Sequence, residues 1–274
     1  ESVGDLFIAG IGPGVLLTAS FCGLIAIMAY GFPNMVAEPG ALDRKVDEKP
    51  MAGRDLIKKI IPISILILVV LGGIYMGLYT PTEAGAAGAL VAFIFALMRK
   101  QLTFRKMWDI LVETGHITAT LLFLIISASM YSRMLGISGL PTELGRFIGA
   151  MDAELWQLLF LYVVILIVLG TIIDSVSIML IAVPLFLVIL APFDIDLVWF
   201  GIVTVIAVEI GLLTPPLGLA VYVIKSTLVQ KDISLADIFI GAAPFALTML
   251  VVLILVLFFP GIALYLVDIK DLWK

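Results

Sequence analysis

Two short stretches hold most of the chemistry this sequence can perform in apolar surroundings: GTIIDSVS, residues 170–177, and EIGLLTPPLG, residues 209–218. In the first, Gly170, Thr171, Asp174, Ser175 and Ser177 place small polar groups and one carboxylate at the midpoint of the apolar run from Leu158 to Pro192. In the second, Pro215 and Pro216 remove two backbone donors and clash with the preceding turn, while Gly211 and Gly218 loosen the chain on either side. Carbonyls freed there, near Gly211 and Thr214, have no water to turn to in hydrocarbon, so they must be buried in protein, line a cavity or meet an ion. A broken helix at mid-membrane marks a transport site; the rival reading is a Pro-kinked helix with no ligand. Asp174 and Glu209 are ionisable groups inside apolar runs, which makes each a candidate for an ion-handling or a structural role.

These stretches need a membrane around them. The 274 residues are 62% hydrophobic and 14% charged, too apolar for a soluble domain. With about 20 apolar residues per crossing, the runs 6–30, 60–78, 84–98, 114–135, 197–227 and 238–262 read as helical spans. They lack the period of two that barrel strands would show. The run 155–192 is too long for one crossing at about 1.5 Å per residue, yet carries no basic loop at its centre. It reads as a re-entrant hairpin with its tip at 170–177; two short crossings with a tight turn are the alternative.

Charge orients the chain. Arg44, Lys45, Lys49, Arg54, Lys58 and Lys59 fill one polar segment, Arg99, Lys100, Arg105 and Lys106 a second, and Lys225 and Lys231 a third. Together they hold 12 of the 16 Lys and Arg, which places all three segments in the cytoplasm. The hairpin then enters from outside, and the last span leaves the cytoplasm and puts 268–274 outside.

Several local features read as structural. In TPTEA, Pro81 suits a first helical position after a Thr80 cap, with Glu83 favoured by the helix dipole. Gly85, Gly88 and Ala92 permit close helix packing, and Leu66, Leu68 and Leu71 form an apolar flank beside them. Residues 104–113 read as an amphipathic surface helix with Trp108 at the interface, and 136–155 as an external connection. His116 sits at a span's edge, where an interfacial hydrogen bond suits it better than a proton relay.

Enzyme chemistry has little to stand on. Nucleophilic or metal-dependent catalysis needs a nucleophile beside a base, or clustered ligands. Cys22 and His116 are the only residues of their kind, and no HExxH, GxSxG or GxxxxGK[ST] pattern occurs. The chain is therefore read as not an enzyme.

SVGDLFIAGIGPGVLL from Ser2 resembles SLADIFIGAAPFALTM from Ser234, aligning Asp5 with Asp237, Phe7 with Phe239 and Ile8 with Ile240. The copies run in opposite directions through the membrane, the inverted-repeat pattern of secondary transporters. The repeat implies a matching hairpin and broken helix upstream of Glu1.

With GDLFIAGIGPG at Gly4, GLYTPTEAGAAGAL at Gly77, LGTIIDSVSIMLIAVPLF at Leu169, EIGLLTPPLGLAVYV at Glu209 and DIFIGAAPF at Asp237, the chain resembles the large membrane subunit of tripartite ATP-independent periplasmic (TRAP) transporters, within the ion-transporter superfamily of elevator carriers. The resemblance implies an all-α inverted-repeat carrier in a bacterial or archaeal cytoplasmic (inner) membrane. It implies Na+-coupled uptake of a small carboxylate, such as a C4-dicarboxylate or a sialic acid. The partners implied are a small TRAP membrane subunit, a periplasmic substrate-binding protein and the lipid bilayer, with no nucleic acid. The Na+ site would fall on Gly170, Gly211, Thr214 and Leu217, and substrate on Thr171, Ser175, Ser177, Pro215 and Pro216. Na+ is hard and takes oxygen ligands, which unwound backbone and a Thr hydroxyl supply without adding charge. On this reading 1–59 closes the first repeat and adds a cytoplasmic linker, 60–135 is scaffold, 136–155 an external connection, 156–230 the transport-domain hairpin and broken helix, and 231–274 the final span and tail. A proton-coupled carrier, or one working without a binding protein, is the alternative, since Asp174 and Glu209 can titrate.

Overall fold

A computed structural model describes residues 2–31, 53–100, 102–140, 142–144, 146, 154–228 and 233–272. Most of the basic linker 31–59, Lys231 and part of the connection 136–155 lie outside the described residues. Those described form helices and turns, with no strand among them. We label the helices α1 (Val3–Ala9), α2 (Ile11–Gly31), α3 (Gly53–Ile67), α4 (Pro81–Met98), α5 (Phe104–Ile137), α6 (Leu155–Gly170), α7 (Ser175–Leu190), α8 (Leu197–Leu212), α9 (Leu219–Thr227), α10 (Leu235–Phe258) and α11 (Gly261–Leu272). Among the described residues five segments are long and apolar enough to cross a membrane: Val3–Gly31, Pro81–Met98, Phe104–Ile137, Ser175–Phe193 and Leu235–Phe258. The chain divides into two compact units, one of residues 2–8 and 26–117, the other of 9–25 and 118–274.

The first unit is built on α3 and α4. The 60–78 span starts earlier than its apolar run, at Gly53, and ends at Tyr75 after a π turn at Leu68–Gly72. The Val69 carbonyl within this turn accepts the Gly73 N–H and also the Tyr79 hydroxyl, whose ring lies over the bare face of Gly73. The TPTEA reading holds: Thr80 N–H donates to Glu83 Oε2 at 2.7 Å, Glu83 N–H donates to Thr80 Oγ1, and Pro81 opens α4. A Cβ on Gly88 would stand 2.8 Å from Val70 Cγ2, so this glycine serves close packing, whereas Gly85 has no neighbour within 4 Å. Of the flank residues Leu66, Leu68 and Leu71, only Leu68 is strongly exposed, at 69%.

The amphipathic segment 104–113 does not end before the next span. It continues into α5 as one helix of 34 residues. A change of polarity does not stop a helix; a proline or a capping residue does, and Gly115 alone is too weak a breaker. The boundary between the compact units falls inside α5, at 117/118.

In the second unit α8 is the central element. Its sequence is apolar on every side, and most of its residues are buried against α6, α7, α10 and α11, except for a stripe through Leu197, Val205 and Glu209. A buried polar pair fixes its rotation. Thr204 spends its proton on the Phe200 carbonyl at 2.7 Å, so Tyr162 is the donor in the 2.7 Å bond between their hydroxyls. The Tyr162 ring lies against Phe200 and Phe186, with centroids 4.8 and 4.6 Å away, tying α6, α7 and α8 together.

Helices α6 and α7 have 16 residues each, about 24 Å of rise, and are joined by Thr171–Asp174. α6 is shorter than the roughly 30 Å hydrocarbon layer, whereas α7 with the turn that follows it, Ser175–Phe193, is long enough to cross. At their opposite end Trp156 stacks on Phe258 at 5.1 Å and Trp199 Nε1 donates to the Val256 carbonyl at 2.9 Å. Such an aromatic cluster belongs at a membrane interface.

The final span also differs from the sequence reading. α10 begins at a Ser234–Asp237 capping box and ends at Phe258; Pro260 then interrupts the ladder, and the tail forms α11. The first span is likewise divided, into α1 and α2 at Gly10. Gly12 of α2 sits against the Ile262 carbonyl, and Phe21 meets Phe245 edge to face at 5.5 Å.

Candidate functional site

The hairpin tip and the broken helix meet backbone to backbone. A Cβ on Gly170 would lie 2.8 Å from Gly211 Cα and 2.9 Å from the Val208 carbonyl oxygen. A Cβ on Gly211 would lie 2.6 Å from the Ile167 carbonyl oxygen and 2.7 Å from Gly170 Cα. No side chain can enter this contact, which is why both positions are glycine. The sequence marks each glycine as a loosening element; their mutual contact carries no local signal, because it joins residues 41 positions apart.

Beyond Gly211 the helix unwinds. α8 stops at Leu212 and α9 resumes at Leu219, with the Pro215–Pro216 peptide bond cis between them. The Gly211 carbonyl, whose i+4 partner is Pro215, takes the Thr214 N–H instead at 2.9 Å. The Leu212 carbonyl faces prolines at both i+3 and i+4 and so loses every helical donor. The Thr214 carbonyl loses its own because the Gly218 N–H is turned to the hairpin, donating to the Thr171 carbonyl oxygen at 2.9 Å. Leu212 and Thr214 are therefore two of the carbonyls the break sets free, and the first becomes a candidate only when both prolines are set against it.

Gly218 brings those oxygens together. Its backbone is left-handed, at φ 50° and ψ 76°, a conformation that favours glycine. The Leu212 and Thr214 carbonyl oxygens each lie 3.1 Å from the point where its Cβ would be. Two hydroxyls belong to residues of this contact, Thr214 in the break and Thr171 at the hairpin tip. Thr214 Oγ1 donates to the Ile210 carbonyl at 2.7 Å, and Thr171 Oγ1 donates to the Val168 carbonyl at 2.8 Å. With their protons so directed, both oxygens keep lone pairs for a cation.

The remaining candidates take other roles in the geometry. Asp174 caps α7: its carboxylate accepts the Ser177 N–H at 3.0 Å and the Ser177 hydroxyl at 2.6 Å. Ser175 is the first residue of α7 and half-buried; Pro215, Pro216 and Leu217 are exposed. Glu209 lies on the open stripe of α8, one turn from Val205. Among the described residues no three of His, Cys, Asp and Glu cluster as metal ligands. The donor set at the break is thus neutral oxygen, suited to a hard monovalent cation rather than to a transition metal.

A family model for the DctM component of tripartite ATP-independent periplasmic transporters matches residues 1–262. The chain belongs to the TRAP transporter DctM family. Among curated relatives, this DctM-family chain is 32% identical to the C4-dicarboxylate TRAP transporter large permease protein DctM of Rhodobacter capsulatus, over 97% of the chain and 58% of that protein. It is 29% identical to the sialic acid TRAP transporter permease protein SiaT of Haemophilus influenzae, over 96% of the chain and 41% of the relative. It is 28% identical to the ectoine/5-hydroxyectoine TRAP transporter large permease protein UehC of Ruegeria pomeroyi, over 98% and 60%. The chain spans about three fifths or less of the length of these relatives. Each of these relatives is described as a TRAP transporter permease.

Proposed function

We propose that this chain carries one half of the ion and substrate pathway of a TRAP large permease, coupling inward Na+ movement to uptake of a small organic acid. The observation that carries the reading is the convergence of the Leu212 and Thr214 carbonyls at Gly218, held to the hairpin tip through Thr171. Na+ bound there would add the positive charge that makes an anionic substrate acceptable beside it. Gly170 and Gly211 act by letting the two elements approach, Thr214 offers its hydroxyl oxygen, and Leu217 lies next to Gly218 in the same turn.

The substrate carboxylate has two half-helix starts to choose from, those of α7 and α9. The first already serves the Asp174 carboxylate, whereas α9 opens on Gly218 with no side-chain cap. An anion is better placed at the uncapped start, against Pro215 and Pro216. In this reading Thr171 and Ser175 serve the substrate from the hairpin side, and Ser177 positions Asp174.

The hairpin, the broken helix and α10 move as one transport body in an elevator cycle, within a bacterial or archaeal inner membrane. A periplasmic binding protein delivers the acid. The small subunit docks on the apolar flank of α3 and the π turn after it, where Ile63 and Leu68 are exposed. The test is Na+-dependent uptake of radiolabelled C4-dicarboxylate, sialic acid or ectoine by the intact transporter in proteoliposomes, with and without its binding protein. A proton-coupled carrier would instead take up substrate under an imposed pH gradient without Na+.

A further inference from the structure

Phe239 of α10 approaches the break from a third side. Its Cε1 lies 2.7 Å from the Cβ position of Gly218, the same point that the Leu212 and Thr214 oxygens approach to 3.1 Å. The edge of an aromatic ring carries partial positive charge, so C–H groups near carbonyl oxygens are attracted to them. Phe239 also borders an apolar cavity of about 500 Å³ together with Ile167, Ile210, Leu213, Thr214 and Pro215. Leu213, Thr214 and Pro215 border that cavity themselves, while at Gly218 the ring stands against the turn. The repeat keeps a phenylalanine in the same register, Phe7 in the first copy, a feature that neither capping nor membrane crossing requires.

We propose that Phe239 is a positioning residue for the coupling cation: its ring braces the Gly218 turn and sets the spacing of the Leu212 and Thr214 oxygens. Those oxygens are without helical donors, and the turn carrying them is pinned on the hairpin side by the Gly218–Thr171 hydrogen bond. Without the ring, the turn loses its contact at Gly218 and can relax toward the cavity that Thr214 and Pro215 already border. A looser set of oxygens binds a small cation less well and discriminates size less sharply. The inference rests on the Na+-coupled reading above.

The experiment measures Na+ and Li+ activation of uptake by the intact transporter, carrying wild-type or Phe239→Leu permease. Leucine keeps the site apolar and removes the ring edge. The Na+ concentration for half-activation should rise about fivefold, the size expected for removing one weak polar interaction, and the Na+ over Li+ preference should narrow. Maximal uptake at saturating Na+ should hold, and Phe239→Tyr, which keeps the ring, should restore wild-type Na+ affinity. If the leucine variant fails to assemble, Phe239→Met fills the same space flexibly and gives the same readout. A lower maximal rate with unchanged Na+ affinity and unchanged ion preference would mean that the ring only stabilises the fold, and would overturn the inference alone. Wild-type uptake indifferent to Na+ would overturn the coupling reading and the inference with it.

Discussion

The backbone contact between Gly170 and Gly211 makes Gly211→Ala the most informative single substitution. Two effects oppose each other there. Alanine is a better helix former than glycine by about 1 kcal/mol, and α8 is a helix up to Leu212. Against this, the new methyl would stand 2.6 Å from the Ile167 carbonyl oxygen and 2.7 Å from Gly170 Cα, both backbone atoms that no rotamer change can move. Reaching ordinary contact near 3.4 Å requires α6 and α8 to part by about 0.8 Å. Overpacking of this kind costs about 1–3 kcal/mol. Gly241→Ala in α10 supplies the reference, because nothing lies within 4 Å of its Cβ position and it should gain helix propensity alone. The gap between the two variants isolates the clash. In thermal unfolding of purified protein in mild detergent, Gly211→Ala should melt roughly 2–12 °C below Gly241→Ala, on about 2–4 °C per kcal/mol. Equal shifts for the two alanines would refute the close approach of hairpin and broken helix, and with it the geometry of the site.

Thr214→Val, which keeps shape and removes the hydroxyl oxygen, should weaken apparent Na+ affinity about tenfold, near 1.4 kcal/mol; unchanged affinity in a Na+ titration of uptake would exclude that oxygen. Asp174→Asn should preserve Na+-driven uptake, since asparagine caps a helix as well as aspartate does; loss of uptake together with a dependence on pH gradient would favour proton coupling. Tyr162→Phe removes the donor to buried Thr204 and should lower stability by about 1–2 kcal/mol without changing ion preference, read by thermal unfolding and a Na+/Li+ comparison. Charged substitutions at Ile63 and Leu68 should release the small subunit in mild detergent, and co-purification that survives both would move the docking surface elsewhere.

Backbone chemistry makes much of this architecture legible in the sequence. Pro215 and Pro216 announce the break wherever the helix packs, because a missing N–H is a local property. Thr80, Pro81 and Glu83 announce the start of α4 for the same reason. The pair of short helices α6 and α7 is readable from length, since a run of that size cannot cross once and carries no basic loop at which to turn. What stays hidden depends on pairs distant in the chain. The Gly170–Gly211 contact, the diversion of the Gly218 N–H to Thr171 and the Phe239 ring against Gly218 each join different elements, and no periodicity encodes them. Asp174 illustrates the remaining ambiguity. A carboxylate in an apolar run suggests ion handling, but the short path to Ser177 makes it a helix cap, which no residue count distinguishes. The continuity of α5 and the helical tail after Pro260 escape a reading by polarity, because a polar stretch resembles an end of structure while only the backbone can end a helix.

The carbonyls at the break, gathered at Gly218 and tied to the hairpin, are proposed to hold the coupling cation. The most direct measurement is the Na+ concentration dependence of substrate uptake by the intact transporter in proteoliposomes, wild type beside Gly218→Ala. An added methyl would press on the Leu212 and Thr214 oxygens and on Phe239 while forcing alanine into a left-handed backbone. Uptake by the wild type should require Na+, with Na+ affinity abolished or reduced more than about tenfold in the variant. Wild-type uptake that proceeds without Na+, or a variant that assembles normally and keeps full Na+ affinity, would contradict this assignment.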